Sequence, residues 1–213
     1  MENLENLPRK ERERQRRQRE FLERAEELFA QKGFHSATIQ EISERSEFAV
    51  GSIYHMFRNK DEIYLALLKR RMEEYLSLLE EESSASHDPV EKIQALIETK
   101  FRYFSENKPL MRLFLETTIG SGWDLPLKGV EKLRSRYEEH LRRLAGLFEE
   151  GIRKKRFSGD DPVGMALALE GMIRTFVTYW IRHEEAAVPL PKFSTVSEIL
   201  FQGIRNTNTN RKK

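Results

Sequence analysis

Between Arg9 and Arg19 the chain carries seven cations, Arg9, Lys10, Arg12, Arg14, Arg16, Arg17 and Arg19, against two anions, Glu11 and Glu13. The whole chain has a net charge of +2, so the remainder is acidic on balance. A basic segment on an acidic body is the charge pattern of a polyanion binder, with Arg16 and Arg17 as candidate contacts. The same residues would also suit a solvated helix face on which Glu and Arg alternate. A second group lies further along. Helical spacing turns Ile53 and Phe57 inward with Ile39 and Ile42, which leaves Val50, Ser52, Tyr54 and His55 outside. A short helix that presents hydroxyl, phenol and imidazole groups from its first turns can reach base edges and phosphates in a major groove. Gly51 permits close approach of backbone to backbone, or of backbone to DNA. Lys60 opens the next helix, where its ammonium and the free N–H groups of the first turn would receive a phosphate.

Catalytic chemistry finds no such constellation. The five histidines are His35, His55, His87, His140 and His183, and none stands at a recognised metal-ligand spacing. There is no phosphate-cradling glycine loop and no nucleophile motif. The chain has no cysteine, which excludes disulfides, thiolate nucleophiles and cysteine zinc sites and suits a reducing cytoplasm. No enzyme activity, cofactor or metal is expected. The N-terminal basic stretch lacks a following apolar core, so it does not read as a secretory signal. No apolar run approaches the roughly 20 residues of a membrane span.

The elements that must position these residues are helices throughout. The 213 residues, 38% of them hydrophobic, suffice for a sizeable core. A first helix is expected from Arg9 to Lys32, with Gly33 ending it. Thr38-Ile39-Gln40-Glu41 reads as a capping box that starts a second, short helix. A third covers Val50 to Met56, and Asn59 caps a long fourth that runs toward Glu82. Pro89 and Pro109 open two more. Val130, Leu133, Tyr137, Leu141, Leu144, Phe148 and Ile152 mark a long amphipathic helix. Asp160-Asp161-Pro162 starts a helix that is apolar almost all round, and a last one runs from Ser194 to Arg205. The expectation is an all-α chain of about nine helices. It divides into a basic arm (1–19), a helix-turn-helix domain (20–68), a helical ligand-binding and dimerisation domain (69–206) and a polar tail (207–213).

Over Phe21 to Leu68 the chain resembles the TetR family of regulators. The matching segments are Leu28-Phe29-Ala30-Gln31-Lys32-Gly33-Phe34, Ala37-Thr38-Ile39-Gln40-Glu41-Ile42-Ser43, Gly51-Ser52-Ile53-Tyr54-His55-Met56-Phe57 and Asn59-Lys60-Asp61-Glu62-Ile63. The resemblance implies a DNA-binding transcriptional regulator, usually a repressor, released from a pseudo-palindromic operator by a small apolar or aromatic effector. It implies that Thr38 caps its helix and touches a phosphate. Ser52, Tyr54 and His55 fall where the family contacts DNA, and Lys60 where it often binds phosphate. The run Glu47-Phe48-Ala49-Val50 departs from the pattern, which has small residues, then Ser or Thr, then often Lys. Ala49 cannot cap, Val50 cannot reach a phosphate as Lys would, and Glu47 suits a left-handed turn poorly. A helical protein–protein adaptor with a degraded reading edge is the alternative.

The resemblance further implies that the last two helices pair with their copies in a homodimer. The candidate interface residues are Gly164, Ala168, Gly171, Thr175, Tyr179, Ile199 and Gly203. An effector pocket is expected among the helices between Pro89 and Trp180. Phe101, Phe104, Met111, Phe114, Trp123, Tyr137, Met172 and Phe176 are its candidate lining, though each would serve equally as core. Effector binding would shift the helix that starts at Lys60 and so change the separation of the two reading helices.

Overall fold

Local capping chemistry sets where each helix of the computed structural model begins. The structure describes residues 8–118, 130–183 and 192–204. Among these, nine helices follow one another: α1 (Arg9–Lys32), α2 (Ile39–Ser46), α3 (Val50–Met56), α4 (Lys60–Ser84), α5 (Pro89–Glu106), α6 (Lys108–Thr118), α7 (Val130–Arg153), α8 (Pro162–Arg182) and α9 (Phe193–Ile204). Thr38 and Glu41 form the reciprocal capping box at α2. Asn59 Oδ1 accepts from the Glu62 N–H at 2.9 Å at the start of α4. Asp88 and Asp161 cap α5 and α8, each followed by a proline in the first turn.

The helices group into two compact units, Met1–Arg71 with Arg112–Val130, and Met72–Met111 with Glu131–Lys213. This differs from the expected contiguous boundary at residue 68. Residues of α6 join the first unit, where the Tyr64 hydroxyl donates to the Leu113 carbonyl at 3.3 Å. Nor is the basic segment a separate arm. Arg9–Arg19 is the opening of α1 itself, braced by exposed pairs such as Arg9–Glu13 and Arg16–Glu20.

The first unit is built on aromatic packing. Phe21 lies 5.6 Å from both Phe48 and Phe57, and Phe34 lies 4.7 Å from Tyr64. Ile42, Ile53, Ile63 and Leu67 are fully buried around them. Arg71 grips Glu26 of α1 through two hydrogen bonds, at 2.7 and 2.8 Å.

In the second unit Ile93, Ile97, Leu144, Phe148, Leu169, Ile173 and Val196 form the core. Gly151 is required there, because a Cβ would stand 2.1 Å from the Phe157 ring. That ring then bridges Phe148 and Phe201. The α8 helix, expected to be buried on several sides, is divided. Ala166, Leu169, Ile173, Val177, Trp180 and Ile181 fill the core, while Val163, Leu167 and Tyr179 stay more than half exposed.

Candidate nucleic-acid interface

The turn between α2 and α3 explains three sequence departures at once. Glu47 ends α2 with φ 58° and ψ 19°, a left-handed conformation that costs a residue with a Cβ about 1–2 kcal/mol. Phe48, next in the chain, places its ring edge-on against Phe21. Its carbonyl accepts from the Ser43 hydroxyl at 2.6 Å, which clamps the turn to α2. The strain at Glu47 is thus offset by packing of the half-buried Phe48 ring against Phe21. Ala49 sits at the N-cap of α3 with no side-chain cap, as its methyl group requires. Ala49→Ser is therefore expected to stabilise the protein by about 1 kcal/mol, read as a higher urea midpoint with an unchanged slope. An unchanged midpoint would mean that solvent already satisfies the first turn of α3.

The α3 helix is sorted as its spacing predicts. Ile53 is fully buried and Phe57 nearly so. Gly51, Ser52, Tyr54 and His55 are exposed, and Val50 is half-buried. Tyr54 is a large ring that remains 54% exposed. A Cβ built on Gly51 meets nothing within 4 Å. Packing inside the chain therefore does not need this glycine. Thr38 is exposed at the start of α2. Its hydroxyl oxygen accepts from the Glu41 N–H at 3.2 Å, and its own N–H donates to Glu41 Oε2 at 3.0 Å. A hydrogen bond from Lys32, then the Thr38 N–H and hydroxyl, hold the Glu41 carboxyl down at about 2.

Lys60 is placed differently from the expectation. Its ammonium donates to the carbonyls of Phe34 (2.7 Å), His35 (2.9 Å) and Ala37 (2.7 Å), and lies 4.8 Å from the Phe34 ring centroid. All three N–H donors are used, so the side chain staples the α1–α2 turn to the start of α4 and does not point outward as a free cation. Sequence spacing could not reveal this, because the acceptors lie 23 to 26 residues back. Lys60→Met is expected to cost about 1–3 kcal/mol of stability and to leave the salt dependence of DNA binding unchanged. A direct phosphate contact would instead lower the slope of log affinity against log salt by about 0.9 per contact, and that result would restore the expected role. Arg16 pairs with Glu20 at 3.1 Å, and Arg17 is exposed.

The other predicted residues divide between core and surface. Phe101 is buried and serves as core, not as an open lining. Phe104, Met111, Tyr137, Met172 and Phe176 are half-buried in the second unit. Phe114, also half-buried, belongs to the first unit, and Trp123 lies outside the described residues. Ala168, Thr175, Tyr179, Ile199 and Gly203 are exposed, and a Cβ on Gly171 or Gly203 would meet open space. Gly164 has a local purpose instead: a Cβ there would stand 2.2 Å from the capping carboxylate of Asp161.

One cluster escaped the sequence reading. Lys100 is 1% exposed, and its ammonium donates to Glu170 Oε1 at 2.6 Å and to the Tyr75 hydroxyl at 3.0 Å. His140 Nε2 lies 3.2 Å from that ammonium and 3.1 Å from the same Glu170 oxygen. The signal was present: Lys100 falls on the apolar stripe of Ile93, Ile97 and Phe104, and Glu170 interrupts an apolar helix.

Comparison with known proteins agrees with this geometry. The model of the bacterial regulatory proteins of the tetR family matches residues 21–67, which run from the start of the α1 core stripe into α4. The fatty acid metabolism regulator protein of Bacillus subtilis (strain 168) is 26% identical over 192 residues, 88% of this chain and 95% of that protein. The fatty acid degradation regulator FadR from Bacillus halodurans superimposes with a TM-score of 0.76 at 21% identity, covering 88% of this chain and 95% of that one. FadR from Bacillus subtilis in complex with stearoyl-CoA gives 0.75 at 24% identity, covering 87% and 98%. An exposed α3 edge on a buried aromatic frame and the matched model make residues 21–67 a DNA-binding domain of the tetR regulatory type, and the all-helical architecture shared with these regulators extends over 88% of the chain.

Proposed function

We propose that the chain acts as a homodimer that binds a pseudo-palindromic operator through α3 of each subunit and is released by an apolar acyl thioester. The observation that carries the dimer is the distribution of exposed apolar surface. Among the described residues the exposed large hydrophobics are Tyr54, Val163, Leu167, Tyr179, Phe193 and Ile199. All but Tyr54 lie on α8 and α9, and small or open positions at Ala168, Gly171 and Gly203 accompany them. A face of this kind is stable in water when a second copy covers it. The remaining exposed ring, Tyr54, is left for DNA, with Ser52, His55, Thr38, Gly51 and Val50 beside it.

The effector class rests on the relatives. One is named for fatty acid metabolism, and a structural neighbour was solved with stearoyl-CoA. The half-buried Phe104, Tyr137, Met172 and Phe176 offer three aromatic rings and one thioether suited to an acyl chain. Coupling would pass through α4, a continuous helix whose first turn Lys60 ties to the α1–α2 turn. An effector that prefers the DNA-incompetent arrangement by about 1–3 kcal/mol is enough to regulate. Repression is the expected mode.

Electrophoretic shift assays with the DNA upstream of its own gene test the proposal. Binding at low salt that is reversed by long-chain acyl-CoA is the expected result. No binding to that or neighbouring promoters would favour the protein–protein adaptor. Binding that acyl-CoA leaves untouched would overturn the effector class alone.

A further inference from the structure

Four helices of the second unit each send polar side chains to one buried point: Tyr75 from α4, Lys100 from α5, His140 from α7 and Glu170 from α8. Such a cluster is a poor way to hold a core together. Replacing a buried ion pair by well-packed apolar residues is often neutral or stabilising, so its presence calls for another reason.

Its charges are balanced. Burial pushes the Glu170 carboxyl up, but the Lys100 charge and hydrogen bonds from His140 and Lys100 outweigh it and hold it down at about 2. Burial, with the Lys100 charge, holds the His140 imidazole below its usual range against the opposing hydrogen bond to Glu170. Near neutral pH the cluster is therefore one cation, one anion and a neutral imidazole.

Its hydrogen bonds are not balanced. His140 Nε2 faces both the Lys100 ammonium and Glu170 Oε1, yet it offers one hydrogen or one lone pair. As an acceptor it serves Lys100 and turns its lone pair on a carboxylate oxygen. As a donor it serves Glu170 and meets an ammonium hydrogen. In either tautomer of the neutral ring one contact is between like groups. An inserted acceptor oxygen resolves this: it takes the Lys100 hydrogen now aimed at Nε2, and the imidazole then donates to Glu170. An uncharged group keeps this balance, whereas a carboxylate would add a buried anion that only protonation of His140 could neutralise.

The surroundings suit the rest of such a molecule. Tyr103 and Phe104 lie 4.8 and 5.6 Å from the Tyr75 ring, and Tyr137 lies 6.4 Å from His140. Phe104 and Tyr137 are half-buried, so the polar point adjoins incompletely covered aromatic surface.

We infer that Tyr75, Lys100, His140 and Glu170 form the binding site for an uncharged carbonyl group of the effector, a thioester and not a free carboxylate; this rests on the acyl thioester reading above. Lys100 donates to the carbonyl oxygen, and Glu170 and His140 hold Lys100 in place and keep the site neutral.

Calorimetry on the intact protein tests it with hexadecanoyl-CoA and S-hexadecyl-CoA, a thioether that keeps the nucleotide and chain but lacks the carbonyl oxygen. The thioester is expected to bind about tenfold tighter or more, the effect of one hydrogen bond from a charged donor. Hexadecanoate is expected to bind more weakly than the thioester. Lys100→Met/Glu170→Gln, which removes both charges together, is expected to erase the preference while helical circular dichroism persists. If that variant does not fold, the comparison on the unmodified protein decides. Equal affinity for thioester and thioether, hexadecanoate binding as tightly as the thioester, or a preference that survives in the folded variant would each overturn the inference and leave the effector class standing. Binding of neither CoA compound would overturn both.

Discussion

Tyr54→Ala is expected to weaken operator binding by between about thirtyfold and twenty-five-thousandfold, with the fold and subunit association unchanged. The magnitude follows from symmetry. A specific DNA contact is worth about 1–3 kcal/mol, and in a dimer each substitution removes it twice, for about 2–6 kcal/mol in all. The fold should tolerate the change because Tyr54 is 54% exposed, about 100° around α3 from buried Ile53. Among the described residues its ring takes no part in the aromatic pairs that join Phe21, Phe29, Phe34, Phe48, Phe57 and Tyr64. Fluorescence anisotropy with labelled operator measures the loss, and sedimentation checks the assembly. Full-strength binding by this variant would mean that α3 is not the reading helix.

Leu167→Arg is expected to leave a folded monomer that no longer grips its operator. Leu167 is 53% exposed within the chain, so an arginine there can reach water and costs the monomer little. In an isologous dimer the same substitution appears on both sides of the interface and buries two like charges without partners. Dimer loss then removes the second half-site, and with it most of the affinity. Sedimentation velocity reports the mass, and the anisotropy assay reports binding. A variant that remains dimeric with undiminished affinity would move the interface away from α8. Leu167 was absent from the sequence-based interface residues because periodicity alone cannot divide an almost uniformly apolar helix into inner and outer faces.

The two predictions separate the two surfaces on which the proposed function depends. Tyr54 should affect DNA and not assembly, whereas Leu167 should affect assembly first and DNA as a consequence. The Lys60 staple belongs to neither surface. It joins the frame behind α3 to the helix through which an effector would act.

What the amino-acid sequence determined by itself is what local physics determines. Helix starts at Thr38, Asn59, Pro89 and Asp161 were legible because capping involves residues two or three apart. The outward set Ser52, Tyr54 and His55 was legible because a helix repeats every 3.6 residues, so buried Ile53 and Phe57 mark the inner side. Tertiary structure alone decided the rest, through partners far apart in the chain. Lys60 reads as a surface cation until the carbonyls of Phe34, His35 and Ala37 are folded against it. Phe48 reads as a misplaced turn residue until Phe21 is beside it. Lys100, His140 and Glu170 are separated by 30 to 70 residues, and only packing of α5, α7 and α8 brings the ammonium and the imidazole to one carboxylate oxygen. Spacing along a chain specifies which residues share a face, but what that face meets is set by the other helices.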